Sequence, residues 1–168
     1  RVALYSQLAI DEFSVGNLGN LGDWRNKFAF QLGGKYFDAF EVKDLYLQGE
    51  FNYARPYTFA HRDPILNFAN NNQALGHLWG ANFWEFVAIA RYKKDRWSGM
   101  AKIVIGKKGF DFEDETVSYG GNIFQSYNAR VGDTGNSMAQ GNKASIFHLD
   151  LQGNYLLNPT NNLSLFAG

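Results

Sequence analysis

Apolar and polar residues alternate along most of this chain. Between Lys27 and Tyr36, one face carries Phe28, Phe30, Leu32, Gly34 and Tyr36, and the other carries Lys27, Ala29, Gln31, Gly33 and Lys35. A period of two is that of a β-strand, because successive side chains point to opposite sides of the pleat. The split recurs from Leu45 to Ala54, with Leu45, Leu47, Gly49, Phe51 and Tyr53 opposite Tyr46, Gln48, Glu50, Asn52 and Ala54. From Ser145 to Leu157 it sets Phe147, Leu149, Leu151, Tyr155 and Leu157 against Ile146, His148, Asp150, Gln152 and Asn154. The opening residues place Val2, Leu4, Leu8 and Ile10 opposite Tyr5, Gln7 and Asp11. Two less regular strands, Asn82 to Tyr92 and Trp97 to Gly106, keep their charges on one face, and a last strand begins at Leu163 and runs to Gly168.

The connections between these strands are alternately long and short. Short turns are expected at Phe37 to Lys43, Lys93 to Arg96 and Asn158 to Asn162, the last containing Pro159 among turn-forming asparagines. Long connections are expected at Glu12 to Asn26, Arg55 to Ala81 and Lys107 to Asn142. Short periplasmic turns and long surface loops on alternate ends of tilted strands are the pattern of an outer-membrane barrel. The expected fold is therefore all-β, an antiparallel transmembrane outer-membrane β-barrel. The chain begins on Arg1 inside a strand and ends within another, and the strand count is odd where single-chain bacterial barrels have an even one. Residues 1–168 are thus expected to be part of a single barrel domain truncated at both ends, a contiguous fragment of about seven strands.

Aromatic residues make up 17% of the chain, and their positions reinforce that expectation. Tyr36, Phe37, Phe40, Tyr92, Trp97 and Tyr155 cluster near the short turns, and Phe28, Tyr53, Phe83 and Trp84 stand at the opposite strand ends. Two bands of amphipathic rings one strand length apart suit the two headgroup levels of a membrane. Hydrophobic residues reach 45%, which excludes a disordered chain. No run approaches the roughly 20 apolar residues of a membrane helix. Cysteine is absent, so no disulfide or thiolate chemistry is available. A formal net charge of zero, with basic residues scattered, gives no footprint for nucleic acid.

One face of the predicted strands carries Lys27, Lys35, Gln48, Glu50, Glu85, Arg91, Lys102, His148 and Asp150. Both signs are mixed there, so a lumen network of ion pairs and hydrogen bonds is expected in preference to an ion-selective pore. The long loops combine amides (Asn70, Asn71, Asn72, Gln73 and Asn82) with flat rings (Tyr57, Trp79, Trp84 and Tyr119). Amides pair with hydroxyl edges and rings with C–H faces, so the combination is that of a carbohydrate contact surface. Turn formation and loop anchoring explain the same residues without a ligand. The ligand-binding candidates in the surface loop are Arg55, His61, Arg62, Asn71, Gln73, His77 and Trp79.

Enzyme chemistry finds little support. Asp133-Thr-Gly lacks a second carboxylate partner, Gly106-Lys-Lys-Gly is too short for a phosphate-binding loop, and no Ser is linked to a base and an orienter. His61, Asp63 and His77 match no closed zinc spacing, and Asp111, Glu113, Asp114 and Glu115 lack the order of an EF-hand loop. No catalytic residue, metal ligand or cofactor is assigned.

Two stretches resemble a known group. Arg55-Pro-Tyr-Thr-Phe-Ala-His-Arg-Asp-Pro and Asn67-Phe-Ala-Asn-Asn-Asn-Gln-Ala-Leu-Gly-His-Leu-Trp-Gly-Ala-Asn are similar to the RemB-type gliding-motility outer-membrane proteins of Bacteroidota. So are Gly109-Phe-Asp-Phe, Tyr119-Gly-Gly-Asn-Ile-Phe-Gln-Ser-Tyr-Asn and Gln140-Gly-Asn-Lys, and Phe51-Asn-Tyr-Ala-Arg-Pro-Tyr-Thr is the most specific run. That group is itself similar to Wzi-like capsule-assembly barrels. The resemblance spans about Tyr5 to Phe166 and implies a non-enzymatic barrel in the bacterial outer membrane, supporting gliding motility or the handling of surface polysaccharide. The partners it implies are outer-membrane lipid, surface polysaccharide and proteins of the gliding or secretion machinery. A capsule-binding lectin and a porin for small solutes are the alternatives.

Overall fold

The computed structural model describes residues 1–17, 19–113 and 116–168. Strand accounts for 52% and helix for 7%, so the protein is all-β. In chain order the strands are β1 (Val2–Glu12), β2 (Lys27–Phe37), β3 (Leu45–Ala54), β4 (Ala69–Asn70), β5 (Gln73–Ala74), β6 (Phe83–Lys94), β7 (Trp97–Phe110), β8 (Asn142–Asn158) and β9 (Leu163–Ala167). The seven long strands form one antiparallel sheet in the order β1-β2-β3-β6-β7-β8-β9, and β4 and β5 form a separate hairpin. Each long strand pairs with the next, so the sheet is a meander with β1 and β9 as its edges. It does not close on itself among the described residues. None of the described helices is long and apolar enough to cross a membrane.

The turns follow from local chemistry. Asp95 adopts φ 53° in the two-residue reversal between Lys94 and Trp97, a conformation that Asp and Asn tolerate better than most side chains. At the β8–β9 reversal, the Asn158 and Asn161 side chains accept from the backbone N–H groups of Thr160 and Leu163. The strands extend beyond the alternating pattern at the loop end. β7 runs to Phe110 and β8 starts at Asn142, with Lys108 opposite Ala144 and Phe110 opposite Asn142. Backbone pairing carries the ladder there although the side chains no longer alternate.

Register fixes the two faces. Leu4, Gly34, Gly49, Ala88, Ile103 and Leu149 stand side by side across six strands. Their face is bare: Leu4 is 82% exposed, Leu8 67% and Phe147 70%. Rings gather at both ends of this face, with Phe30 stacked 5.0 Å from Tyr53 at the loop end and Trp97 4.6 Å from Tyr155 at the turn end. Covering layers lie on the other, polar face, where the long loops fold back over the sheet and bury Lys27, Asn52, Phe83, Glu85 and Lys108. The hydrophobic cluster sits in this layer: Phe59, Ala81 and Ile123, packed with Ala29, Ala69 and Ala74. Phe37 and Phe83, both expected among the banded rings, are exceptions, because register puts them on the polar face, Phe37 opposite Tyr46. Phe83 is buried there, 4.3 Å from the His77 ring and 5.5 Å from Trp79.

Candidate functional site

All nine residues expected to share a polar face do share it. Its centre is a row in register: Gln7, Gln31, Asn52 and Glu85 from β1, β2, β3 and β6. Gln31 Nε2 donates to Asn52 Oδ1 at 3.0 Å, and Asn52 Nδ2 donates to Glu85 Oε2 at 3.0 Å and Glu50 Oε1 at 2.9 Å. The chain continues towards the turns. Tyr5 donates to Glu50 at 2.5 Å, Gln48 Nε2 donates to the Tyr5 hydroxyl at 2.9 Å, and Tyr46 donates to Gln48 Oε1 at 2.5 Å. It continues into the second long loop as well, because His77 Nε2 lies 3.0 Å from Glu85 Oε2. His77 Nδ1 accepts from the Trp79 N–H at 3.1 Å. That places the ring proton of a neutral imidazole on Nε2, which donates to the carboxylate.

The network differs from the expected one in kind. Glu50 makes no ion pair among the described residues, because the residues opposite it are Gly33 and Val87. The cations lie over rings instead, with Lys35 Nζ 5.3 Å from the Tyr5 centroid and the Arg91 guanidinium 5.7 Å from that of Tyr46. Lys102 and Asp150 are register partners without an ion pair, and Asp150 accepts from Gln152 at 3.0 Å. Lys27 is the exception at the loop end. Fully buried, it pairs with Glu12 at 2.9 Å and Asp11 at 3.7 Å and donates to the Ala60 carbonyl at 3.1 Å.

The three long loops form one unit on this face. Asn82 is its hub: fully buried, it donates to the carbonyls of Gly109, Tyr119 and Gln140 at 3.0–3.3 Å, and its own side-chain oxygen accepts from Gln140 N. Lys108 Nζ donates to the carbonyls of Trp79, Ala81 and Gly121. Tyr57 donates to Ser118 O at 2.8 Å, and burial pushes its hydroxyl pKa up to about 12. In the first long loop Arg25 donates to both oxygens of Asp23, at 2.9 and 2.7 Å. These bonds hold the Asp23 carboxyl below its ordinary range against the opposing effect of burial. Trp24 then binds the third loop, its N–H donating to Asp133 O at 3.1 Å and its ring lying 4.4 Å from the Arg130 guanidinium.

The surface-loop candidates separate into two groups. Arg62, Asn71 and Gln73 are exposed. Asn71 and Asn72 adopt φ 48° and 59° at the tip of the β4–β5 hairpin, so turn formation accounts for them. His61 lies 3.4 Å from Asp11, away from His77, and His77 and Trp79 are half-buried against Phe83. Arg55 is buried, with its guanidinium 5.7 Å from the Phe28 ring and one nitrogen donating to Asp23 O at 3.4 Å. It therefore joins the first two loops and is withdrawn from the loop surface. Asn82 and Tyr57, expected among the sugar-facing groups, are likewise buried. Among the acidic run, the Asp111 carboxylate caps Tyr119 N at 2.5 Å and Glu113 is exposed, while Asp114 and Glu115 lie outside the described residues.

Beneath the second loop lies a cavity of about 330 Å³. Its floor is the amide row together with a second row in register, Ala9, Ala29 and Ala54, whose small side chains leave the space. Phe59, Phe68, Leu75 and His77 roof it. The polar row itself was visible as strand alternation. The roof was not, because it depends on a loop folding back over the sheet. Compared with known proteins, the chain matches no family model, no curated protein and no solved structure.

Proposed function

We propose that this chain is part of an outer-membrane β-barrel that supports gliding motility without catalysing a reaction, its long loops meeting surface polysaccharide or motility partners. The observation that carries the membrane reading is the inverted distribution of burial. A soluble sheet covers its apolar face and leaves polar groups to water; here the loops cover the loop-end part of the polar face, and the apolar face is bare. Nine residues from Phe28 to Tyr36 separate the ring-bearing ends of β2, which matches the ~9–11 residues of a tilted membrane-crossing strand. Within a bilayer the edges at β1 and β9 must be paired, so the proposed barrel includes further strands.

The loop layer favours a surface role over a pore. Rigidly interlocked loops lie over the polar face and narrow any lumen behind them. The link to motility and polysaccharide rests on the resemblance of the loop runs to the RemB-type proteins, and the exposed amides and Arg62 supply chemistry suited to it.

Planar-bilayer conductance of the full-length protein, with and without extracted surface polysaccharide, tests this. Electrical silence together with retention of polysaccharide on the immobilised protein is expected. A steady open-pore current would transfer the reading to a porin.

A further inference from the structure

The cavity beneath the second loop has the chemistry of a ligand site. We infer that it binds one neutral sugar unit, an inference that rests on the polysaccharide reading and gives that reading a defined position inside the loop layer. Its volume of about 330 Å³ lies at the small end of the ~300–1,000 Å³ of small-molecule sites, which suits a single ring rather than an oligosaccharide. One wall is polar and in register, Gln7, Gln31 and Asn52 from three adjacent strands. Amides carry both donors and acceptors, as vicinal hydroxyls require.

Two groups in that wall are available. The Gln7 side chain makes no hydrogen bond among the described residues, and Gln31 uses only its Nε2, towards Asn52. Asn52 is held in place by Gln31, Glu50 and Glu85, so it is oriented before any ligand arrives. The opposite wall is aromatic: Phe59 and Phe68, 5.4 Å apart, with Phe83 behind His77. Such faces cover the C–H side of a pyranose.

Charge selects the class of sugar. No Asp, Glu, Lys or Arg lines the cavity, yet Asn52 and His77 are each hydrogen-bonded to Glu85 immediately behind it. A carboxylate there disfavours a uronate, and no lining cation offsets it.

The test uses the full-length protein in detergent micelles and saturation-transfer NMR with methyl glycosides of neutral hexoses and of hexuronates. Neutral glycosides are expected to bind and hexuronates to fail. Gln7→Ala should weaken binding about tenfold, and Ala9→Phe, which fills the cavity from an exposed strand position, should abolish it. Lys94→Ala, exposed at the β6–β7 reversal on the opposite end of the sheet, should leave it unchanged. Heat-modifiable migration confirms that each variant is folded. Absent binding of neutral glycosides, or binding indifferent to both Gln7→Ala and Ala9→Phe, would overturn the inference. If whole polysaccharide is still retained in that case, only the cavity site falls and the loop-surface role stands. If polysaccharide is not retained while glycosides bind in the cavity, the proposed function fails and the cavity site survives.

Discussion

Tyr5 and Glu50 are joined by a 2.5 Å hydrogen bond although a whole strand lies between them. The intervening residue is Gly33, opposite both Tyr5 and Glu50 in the register, and a Cβ there would collide with the Tyr5 ring. The missing side chain lets the phenol lie flat across β2 and reach the carboxylate on β3.

Tyr5→Phe should therefore destabilise the fold by about 1–3 kcal/mol, since it leaves Glu50 and Gln48 short of a partner. Gly33→Val should cost more, because it displaces the ring as well. Lys35→Met, which touches only the ring face, should have the smaller effect. The temperature at which heat-modifiable migration is lost ranks the three variants. If Lys35→Met proved as damaging as Tyr5→Phe, Glu50 would depend on a cation after all.

Asn82 tests the loop layer. Its side chain links the end of the second loop to β7 and the third loop, and its backbone sits at φ 60°. Asn82→Ala should cost about 3 kcal/mol or more by stranding buried carbonyls and straining φ. Asn82→Gly removes only the strain component, so the difference between the two measures it. Limited proteolysis should cut the loops of both variants while far-UV circular dichroism of the sheet stays unchanged.

Strand positions, faces and turns were legible because period two acts locally and the bare face repeats on every long strand. β3 coincides with its expected bounds, Leu45–Ala54. Three of the misplacements share one cause. Arg55, Tyr57 and Asn82 each meet partners from a different loop, such as Ser118 for Tyr57 and Gln140 for Asn82, whereas Phe83 has the parity of Glu85 and Arg91 and so shares their face. Alternation carries no information on such pairings. Glu50 shows the same limit within the sheet: charge on one face suggested ion pairs, but register set glycine and valine opposite it.

Acid should loosen the first loop before it affects the sheet. Arg25 lowers the Asp23 pKa from its ordinary 3.8. A depressed carboxyl contributes stability that is fully present above the unfolded value and is lost as pH falls through the folded one. Pepsin cleavage within residues 13–26 should therefore rise as pH drops below about 3.8, and Asp23→Asn should be susceptible at every pH. Equal resistance of the two proteins above that pH would remove the Asp23–Arg25 clasp from the account.

Alkali acts on the clasp between the second and third loops. The Tyr57 hydroxyl has its pKa raised by burial from 10.0 to about 12. Its contribution is complete below the unfolded value and is lost as pH rises through the folded one. Absorbance of the phenolate should contain a late component from Tyr57, coincident with exposure of the third loop to protease. Tyr57→Phe should reduce the late absorbance by one phenolate, uncouple it from the protease exposure, and weaken the loop contact at neutral pH by about 1–3 kcal/mol, since Ser118 O and Val131 N lose a buried partner.

The bare face distinguishes bilayer from water most directly. Leu149 stands in the central row with Leu4, Ala88 and Ile103, far from either band of rings. Facing lipid, Leu149→Arg should cost about 2–4 kcal/mol, as for a cation at the midplane of a membrane barrel. Facing water, an exposed leucine replaced by arginine should change stability by no more than about 0.5 kcal/mol. Lys107→Leu, at the loop end of the same face, serves as the opposite control, because a membrane would tolerate or favour it. Reversible unfolding in phospholipid vesicles measures both, and an unperturbed Leu149→Arg protein would return the apolar face to solvent or to a protein partner.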